Sequence, residues 1–172
     1  MILVTVGTEQ YPFNRLMNWL TVLLEANLIP NSLLIQSGTC SQLPPNVSNV
    51  PFLEPAELQQ RAAEAQLIIS HCGEGSASLL RSARRPYILV PRCQRLGERA
   101  DNQQIMLAAA LYQRGVPIAW SPGDLVRYLQ TPYYVNLPLL TGIAAALLCD
   151  HLEAHFGDGQ PRVKSSSPST AK

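Results

Sequence analysis

Short apolar runs, each stopped by a turn and followed by a helix-spaced segment, recur from Ile2 to Trp120 and constrain the fold more than any other feature. Ile2–Val6, Leu33–Gln36 and Tyr87–Pro91 are continuous apolar stretches, the pattern of strands buried on both faces. Val50–Leu53 is a weaker run whose Pro51 marks a sheet edge. Leu67–Ser70 and a last short run, Val116–Trp120, complete the set. Between them, apolar residues three and four apart predict helices. One covers Phe13–Leu28 through Phe13, Leu16, Met17, Leu20, Leu23 and Leu24. Others cover Ala56–Ala65, the segment after the Ser70 turn to about Ala83, and Asn102–Arg114, with Gly115 as a stop signal. Helical sequence resumes over Gly123–Gln130 and Leu137–Phe156. Strands alternating with helices on short connections make βαβ units. The expected class is therefore α/β, a Rossmann-like parallel sheet with helices on both faces.

With 172 residues, 47% apolar and 15% charged, the chain can bury a full core. One domain is expected over residues 1–156, followed by a Ser/Pro/Lys-rich tail over 157–172 that reads as disordered. A net charge of +1 with scattered basic residues gives no nucleic-acid stripe; Arg81, Arg84 and Arg85 are too few. Cys40, Cys72, Cys93 and Cys149 have no zinc-ligand spacing. No targeting segment is expected before Ile2, and Leu137–Cys149 falls short of the ~20 residues a bilayer requires. A reduced, cytoplasmic setting is the expectation.

In parallel sheets, ligands bind beyond the carboxyl ends of the strands. Three loops leaving that edge carry chemistry. The first is Gly7-Thr8-Glu9, small residues with a hydroxyl and backbone N–H groups. The second is His71-Cys72-Gly73-Glu74-Gly75-Ser76, where Gly73 and Gly75 permit tight turns and close approach of ligand oxygens. Ser76 can cap the following helix or bond a phosphate, and the helix dipole favours an anion. A plain strand-to-helix turn fits the same residues equally well. Both G-x-G-x-x-G and the Walker loop are absent. The third loop, Pro91–Gln104, holds Glu98, Asp101 and the adjacent amides Gln103 and Gln104, suited to a polyhydroxylated ligand. A solvated loop with Asp101 capping a helix is the alternative. His71 beside Cys72 lacks an orienting third residue, and His151 with His155 reads as a polar helix face, so neither nucleophilic catalysis nor a metal site is expected.

Taken together and in order, Val4–Leu16 (VTVGTEQYPFNRL), Ile69–Ser76 (ISHCGEGS) and Val90–Gln104 (VPRCQRLGERADNQQ) resemble the C-terminal, donor-binding half of the family 28 glycosyltransferases. The likeness covers about residues 1–130. It is similar to one-domain members that serve as soluble subunits of two-component transferases, including the cytosolic subunit acting on dolichol-diphosphate N-acetylglucosamine and bacterial exopolysaccharide and capsule subunits. The resemblance implies a single GT-B half-domain, a UDP-sugar donor, and inverting transfer to a lipid-linked saccharide acceptor without metal or cofactor. It also implies a membrane-associated partner subunit that carries the acceptor half and recruits this chain to the inner membrane face. The backbone around Gly7-Thr8 and Gly73–Ser76 is then expected to face the diphosphate, with Asp101, Gln103 and Gln104 holding sugar hydroxyls. His71 and Glu98 are counted with them as substrate-binding candidates. No residue of this chain is assigned as catalytic.

The sequence departs from the family pattern at Leu79, where relatives carry a glutamate that bonds the ribose, and at Glu74, where a small residue is usual. Arg99 and Asn102 replace histidines of many members. Losing two ribose contacts is worth roughly 1–3 kcal/mol. These departures keep a second reading open, that of a diverged, non-catalytic binding or scaffold subunit. The Leu137–Phe156 segment either packs back on the core or docks the partner.

Overall fold

The computed structural model describes residues 1–30, 32–140 and 142. Its centre is a parallel five-stranded sheet of β1 (Ile2–Thr5), β2 (Leu33–Gln36), β3 (Ser48–Val50), β4 (Leu67–His71) and β5 (Tyr87–Val90), in the order β3-β2-β1-β4-β5. β1 aligns Ile2 with Leu33 on one side and with Leu67 on the other. The helices are α1 (Asn14–Glu25), α2 (Pro55–Glu64), α3 (Glu74–Ala83), α4 (Gln103–Tyr112) and α5 (Pro122–Gln130). Rossmann-like α/β architecture with a parallel sheet is thus the fold.

Alternation along the strands divides the core into two layers. Ile2, Val4, Ile69, Ile88 and Val90 face one layer, with Leu16, Met17, Leu20 and Leu23 of α1 and Leu125 of α5. Leu3, Ile68, Tyr87 and Leu89 face the other, with Ala62 of α2, Leu80 of α3, and Leu107 and Leu111 of α4. Period-2 strands with helices on both sides leave no solvated face, which is why the runs read as continuously apolar.

Several boundaries differ from the sequence expectation, each for a local reason. α1 ends at Glu25, not Leu28, because Asn27 turns left-handed (φ 54°) and the Leu28 and Asn27 N–H groups close back on the Leu23 and Leu24 carbonyls. β3 lies at Ser48–Val50 rather than Val50–Leu53, since Pro51 has no N–H to extend the ladder. It is the edge strand, as Pro51 suggested. The expected strand at Val116–Trp120 is reduced to one parallel bridge, Leu89 to Ile118. The Arg92–Asp101 loop contains a 3₁₀ turn at Gln94–Leu96, closed by left-handed Gly97 (φ 68°). α4 ends at Tyr112, two residues before the expected Arg114, and the chain turns at Gly115 (φ 77°), with the Val116 N–H bonded to the Leu111 carbonyl. α5 starts at a capping box between Ser121 and Asp124.

Of the expected Leu137–Phe156 helix, residues 137–139 are not helical, and helix is seen at Leu140 and Gly142. Leu137 and Leu140 are buried in the second core layer, whereas Leu139 is exposed. The rest of that segment and the 157–172 tail lie outside the described residues. No helix among the described residues is long and apolar enough to cross a membrane.

Candidate functional site

The strand order fixes where a site can form. Connections from β1 run outward to β2 and β3, while β4 and β5 lie on its other side. The crevice between the loops after β1 and β4 is therefore the topological switch point, the preferred ligand position in open α/β sheets. A cleft of about 990 Å³ opens there. Of the candidates named from sequence, Gly7, Thr8, His71, Gly73, Gly75, Ser76, Asp101, Gln103 and Gln104 all line it. Glu98 does not. Its buried carboxylate accepts from Arg15 and from the Cys93 N–H, beside a smaller hollow of about 420 Å³.

His71 organises the second loop. Ser70 donates to the Ser76 hydroxyl at 2.8 Å, and the Ser76 hydroxyl shares a 3.0 Å bond with His71 Nδ1. The Thr5 backbone also lies within hydrogen-bond reach of the ring. Burial, and then the positive Arg92 guanidinium, lower the His71 pKa to about 4. The ring is wedged between two glycines. A Cβ on Gly7 would stand 2.5 Å from its Cε1, and one on Gly73 2.6 Å from its Nε2. Gly7 also needs its positive φ of 80°.

These contacts change the reading of the glycines. Gly73 has ordinary extended geometry (φ −119°) and is small for His71 rather than for a tight turn. Gly75 meets nothing within 4 Å, so the space above it is open. The Gly7 N–H is not free, because Gln36 Oε1 accepts it at 3.2 Å while Gln36 Nε2 donates to the Gly7 carbonyl. Of the first loop, Thr8 is the exposed part.

The anion-ready feature is the start of α3. Gly73 occupies its N-cap position, and no side chain caps the helix. Ser76, expected as a possible cap, is buried and engaged by Ser70 and His71. First-turn amides have no intrahelical acceptor, so those of Glu74, Gly75 and Ser76 present donors and the positive dipole end at the cleft. The Glu74 side chain is exposed.

Across the cleft, the start of α4 supplies the polar wall. The Asp101 carboxylate accepts from the Gln103 N–H at 3.0 Å, so it caps from one residue before the N-cap, Asn102. Gln104 is buried, with its Oε1 accepting from the Arg92 N–H at 3.1 Å; its Nε2 has no partner among the described residues. Leu58, Leu79 and Leu107 form an apolar wall.

Three side chains that carry this geometry were not among the substrate-binding residues expected from sequence, although Arg99 stood out as a departure from the family pattern. Arg92 is fully buried and donates to the carbonyls of Val6, Tyr11 and Glu98, binding the first loop to the third. Gln36 holds Gly7. Arg99, which lines the cleft, bonds Glu9 and Asp101, both at 2.8 Å. The family-like strings FNRL and VPR…GE contain Arg15, Arg92 and Glu98, but only the fold reveals that they clamp the loops. Among the described residues, no three His, Cys, Asp or Glu side chains converge as a metal site.

A parallel α/β layer with an uncapped helix N-terminus at its switch point is suited to an anionic ligand beyond the strand ends. The family model described as "Glycosyltransferase family 28 C-terminal domain" matches residues 1–133, and the chain belongs to that family. No curated protein matches it. The domain is accordingly the donor-binding fold of a glycosyltransferase.

Proposed function

We propose that the chain is the donor-binding subunit of a heteromeric, inverting glycosyltransferase that moves a hexose from a UDP-sugar to a lipid-linked saccharide in exopolysaccharide or glycan synthesis. In this reading the acceptor half belongs to a membrane-associated partner, which recruits the chain to the inner membrane face. The observation that carries the proposal is the polarity of the cleft. Uncapped α3 amides, the apolar side chains of Leu58, Leu79 and Leu107, and the polar Asp101, Gln103 and Gln104 line one cleft. Those three zones match a nucleoside, a diphosphate and a hexose.

The chemistry assigned to this chain is electrostatic. Helix amides aimed at the departing diphosphate stabilise the charge that develops as the glycosidic bond breaks. A base for the acceptor hydroxyl is left to the partner. His71, with a pKa of about 4, is too weak a base for the task at neutral pH, and Cys72, pushed up to about 12 by burial, stays a thiol.

Thermal melting of the full chain with UDP, UDP-glucose and UDP-N-acetylglucosamine, and with ADP as control, tests the reading. A uridine-selective rise in Tm is expected, because ligand at about 100 times Kd adds about 2.7 kcal/mol. A scaffold that has lost the donor gives no shift with any of them at millimolar concentration.

A further inference from the structure

Within the described residues, the cleft is lined by three carboxylates, Glu9, Glu74 and Asp101, and one guanidinium, Arg99. For a site read as holding a diphosphate, that balance is unfavourable unless the single cation faces the phosphates. Arg99 does not stand free in the structure. Arg99 Nε donates to Asp101 Oδ1 at 2.8 Å, Nη1 to Glu9 Oε1 at 2.8 Å, and Nη2 to Gln103 Oε1 at 3.5 Å. It thus spans the cleft mouth from the first loop to the third, holding two of the groups read as gripping the sugar.

We infer that Arg99 is the diphosphate-pairing cation of this cleft and reaches that role by exchanging partners, leaving the Glu9 carboxylate for the phosphates and releasing Asp101 and Gln103 toward the hexose. The inference rests on the nucleotide-sugar reading of the site. Three features carry it. A guanidinium has five N–H donors, and only three are engaged here, so it can meet a phosphate before its old bonds are all broken. Its partners are half-exposed, so both carboxylates can return to water when it leaves. Arg92 cannot substitute, because it is fully buried and both of its terminal nitrogens are bound to backbone carbonyls. Asp101 keeps its bond to the Gln103 N–H throughout, so the α4 start stays formed while the side chains change partners.

The exchange makes Glu9 a competitor of the ligand, with a sign that a purely structural ion pair does not share. Calorimetric titration of the full chain with UDP, and with uridine as a phosphate-free control, reads it out. Arg99→Gln is expected to weaken UDP binding at least about tenfold, the scale of a lost charge-assisted bond, and to leave uridine unchanged. Glu9→Gln is expected to tighten UDP about threefold to fivefold, since it removes a competitor for Arg99. In the Arg99→Gln background that gain should largely vanish, because nothing remains to compete for. Unchanged UDP affinity in a folded Arg99→Gln chain overturns the inference while leaving the nucleotide reading standing. So does weaker UDP binding in Glu9→Gln, which marks the pair as a brace for the loop and can be read even if Arg99→Gln does not fold. A wild-type chain that binds neither UDP nor uridine overturns the nucleotide reading and the inference with it.

Discussion

Arg15 and Glu98, 83 residues apart, meet in a two-point ion pair, Nε to Oε1 at 2.8 Å and Nη2 to Oε2 at 2.9 Å. The pair fastens the start of α1 to the loop that follows β5. Arg15 also donates to the Pro91 carbonyl at 2.7 Å and stacks over Trp19, 4.7 Å from the ring centroid. Together with Arg92 it sets the distance between two of the three loops that build the cleft.

Glu98→Leu leaves Arg15 and the Cys93 N–H without their shared acceptor. The variant is expected to lose about 2–4 kcal/mol in urea unfolding, in the range for a partly buried pair broken on one side. Adding Arg15→Met to Glu98→Leu should cost far less than Arg15→Met alone, because the two residues act as a unit. Additive losses contradict the clamp.

The glycines separate by what surrounds them. Gly7→Ala must overcome both a left-handed backbone and a 2.5 Å approach to the His71 ring, and is expected to destabilise by about 2–4 kcal/mol. Gly73→Ala meets only the ring and should cost about 1–3 kcal/mol. Gly75→Ala enters open space on a helix, so stability should hold or rise by up to about 1 kcal/mol. Melting curves of the three variants check the order.

Stability should depend on pH through His71. Its folded pKa, near 4, lies below the ordinary value of 6.5, so between those values the unfolded chain binds more protons. The native state therefore loses stability as pH falls from about 6.5 toward 4, by an amount on the order of 2–3 kcal/mol from this group. His71→Asn should flatten that part of the profile. An identical acid limb in both proteins removes His71 as the cause.

How much of this was legible in the sequence follows from the range of each interaction. The strands could be read because Ile2–Thr5, Leu67–His71 and Tyr87–Val90 sit in a sheet covered on both faces, which imposes an uninterrupted apolar run. Helix stops set by one residue, such as Gly115, were readable; the Asn27 stop was not, because leucines continue the apolar spacing past it. In the site, the convergence of three loops followed from strand polarity alone. Their fastening did not, since Arg92 reaches the Val6 carbonyl across 86 residues and Arg15 reaches Glu98 across 83. Glu98 looked like a ligand group for that reason: a loop carboxylate shows no sign in sequence of the distant arginine that neutralises it.

Leu79 lies on the apolar wall where the family pattern expects a ribose-binding glutamate. Leu79→Glu is expected to tighten UDP binding about tenfold by restoring hydroxyl bonds. No gain in calorimetry means that the ribose does not lie against α3.

Gln103 is exposed at the start of α4 and contributes little to the core. Gln103→Ala should weaken a bound UDP-hexose about tenfold yet leave UDP within about twofold, the signature of a sugar contact. Equal losses for both ligands place its side chain elsewhere.

If the loops after β1, β4 and β5 cradle a nucleotide diphosphate, as proposed, amide NMR of the labelled full chain shows it most directly. On titration with UDP, the largest shifts should fall on Thr8, Gly73, Gly75, Ser76, Arg99 and Gln104. Shifts confined to the hollow beside Trp19 and Leu96, or none at saturating UDP, would contradict it.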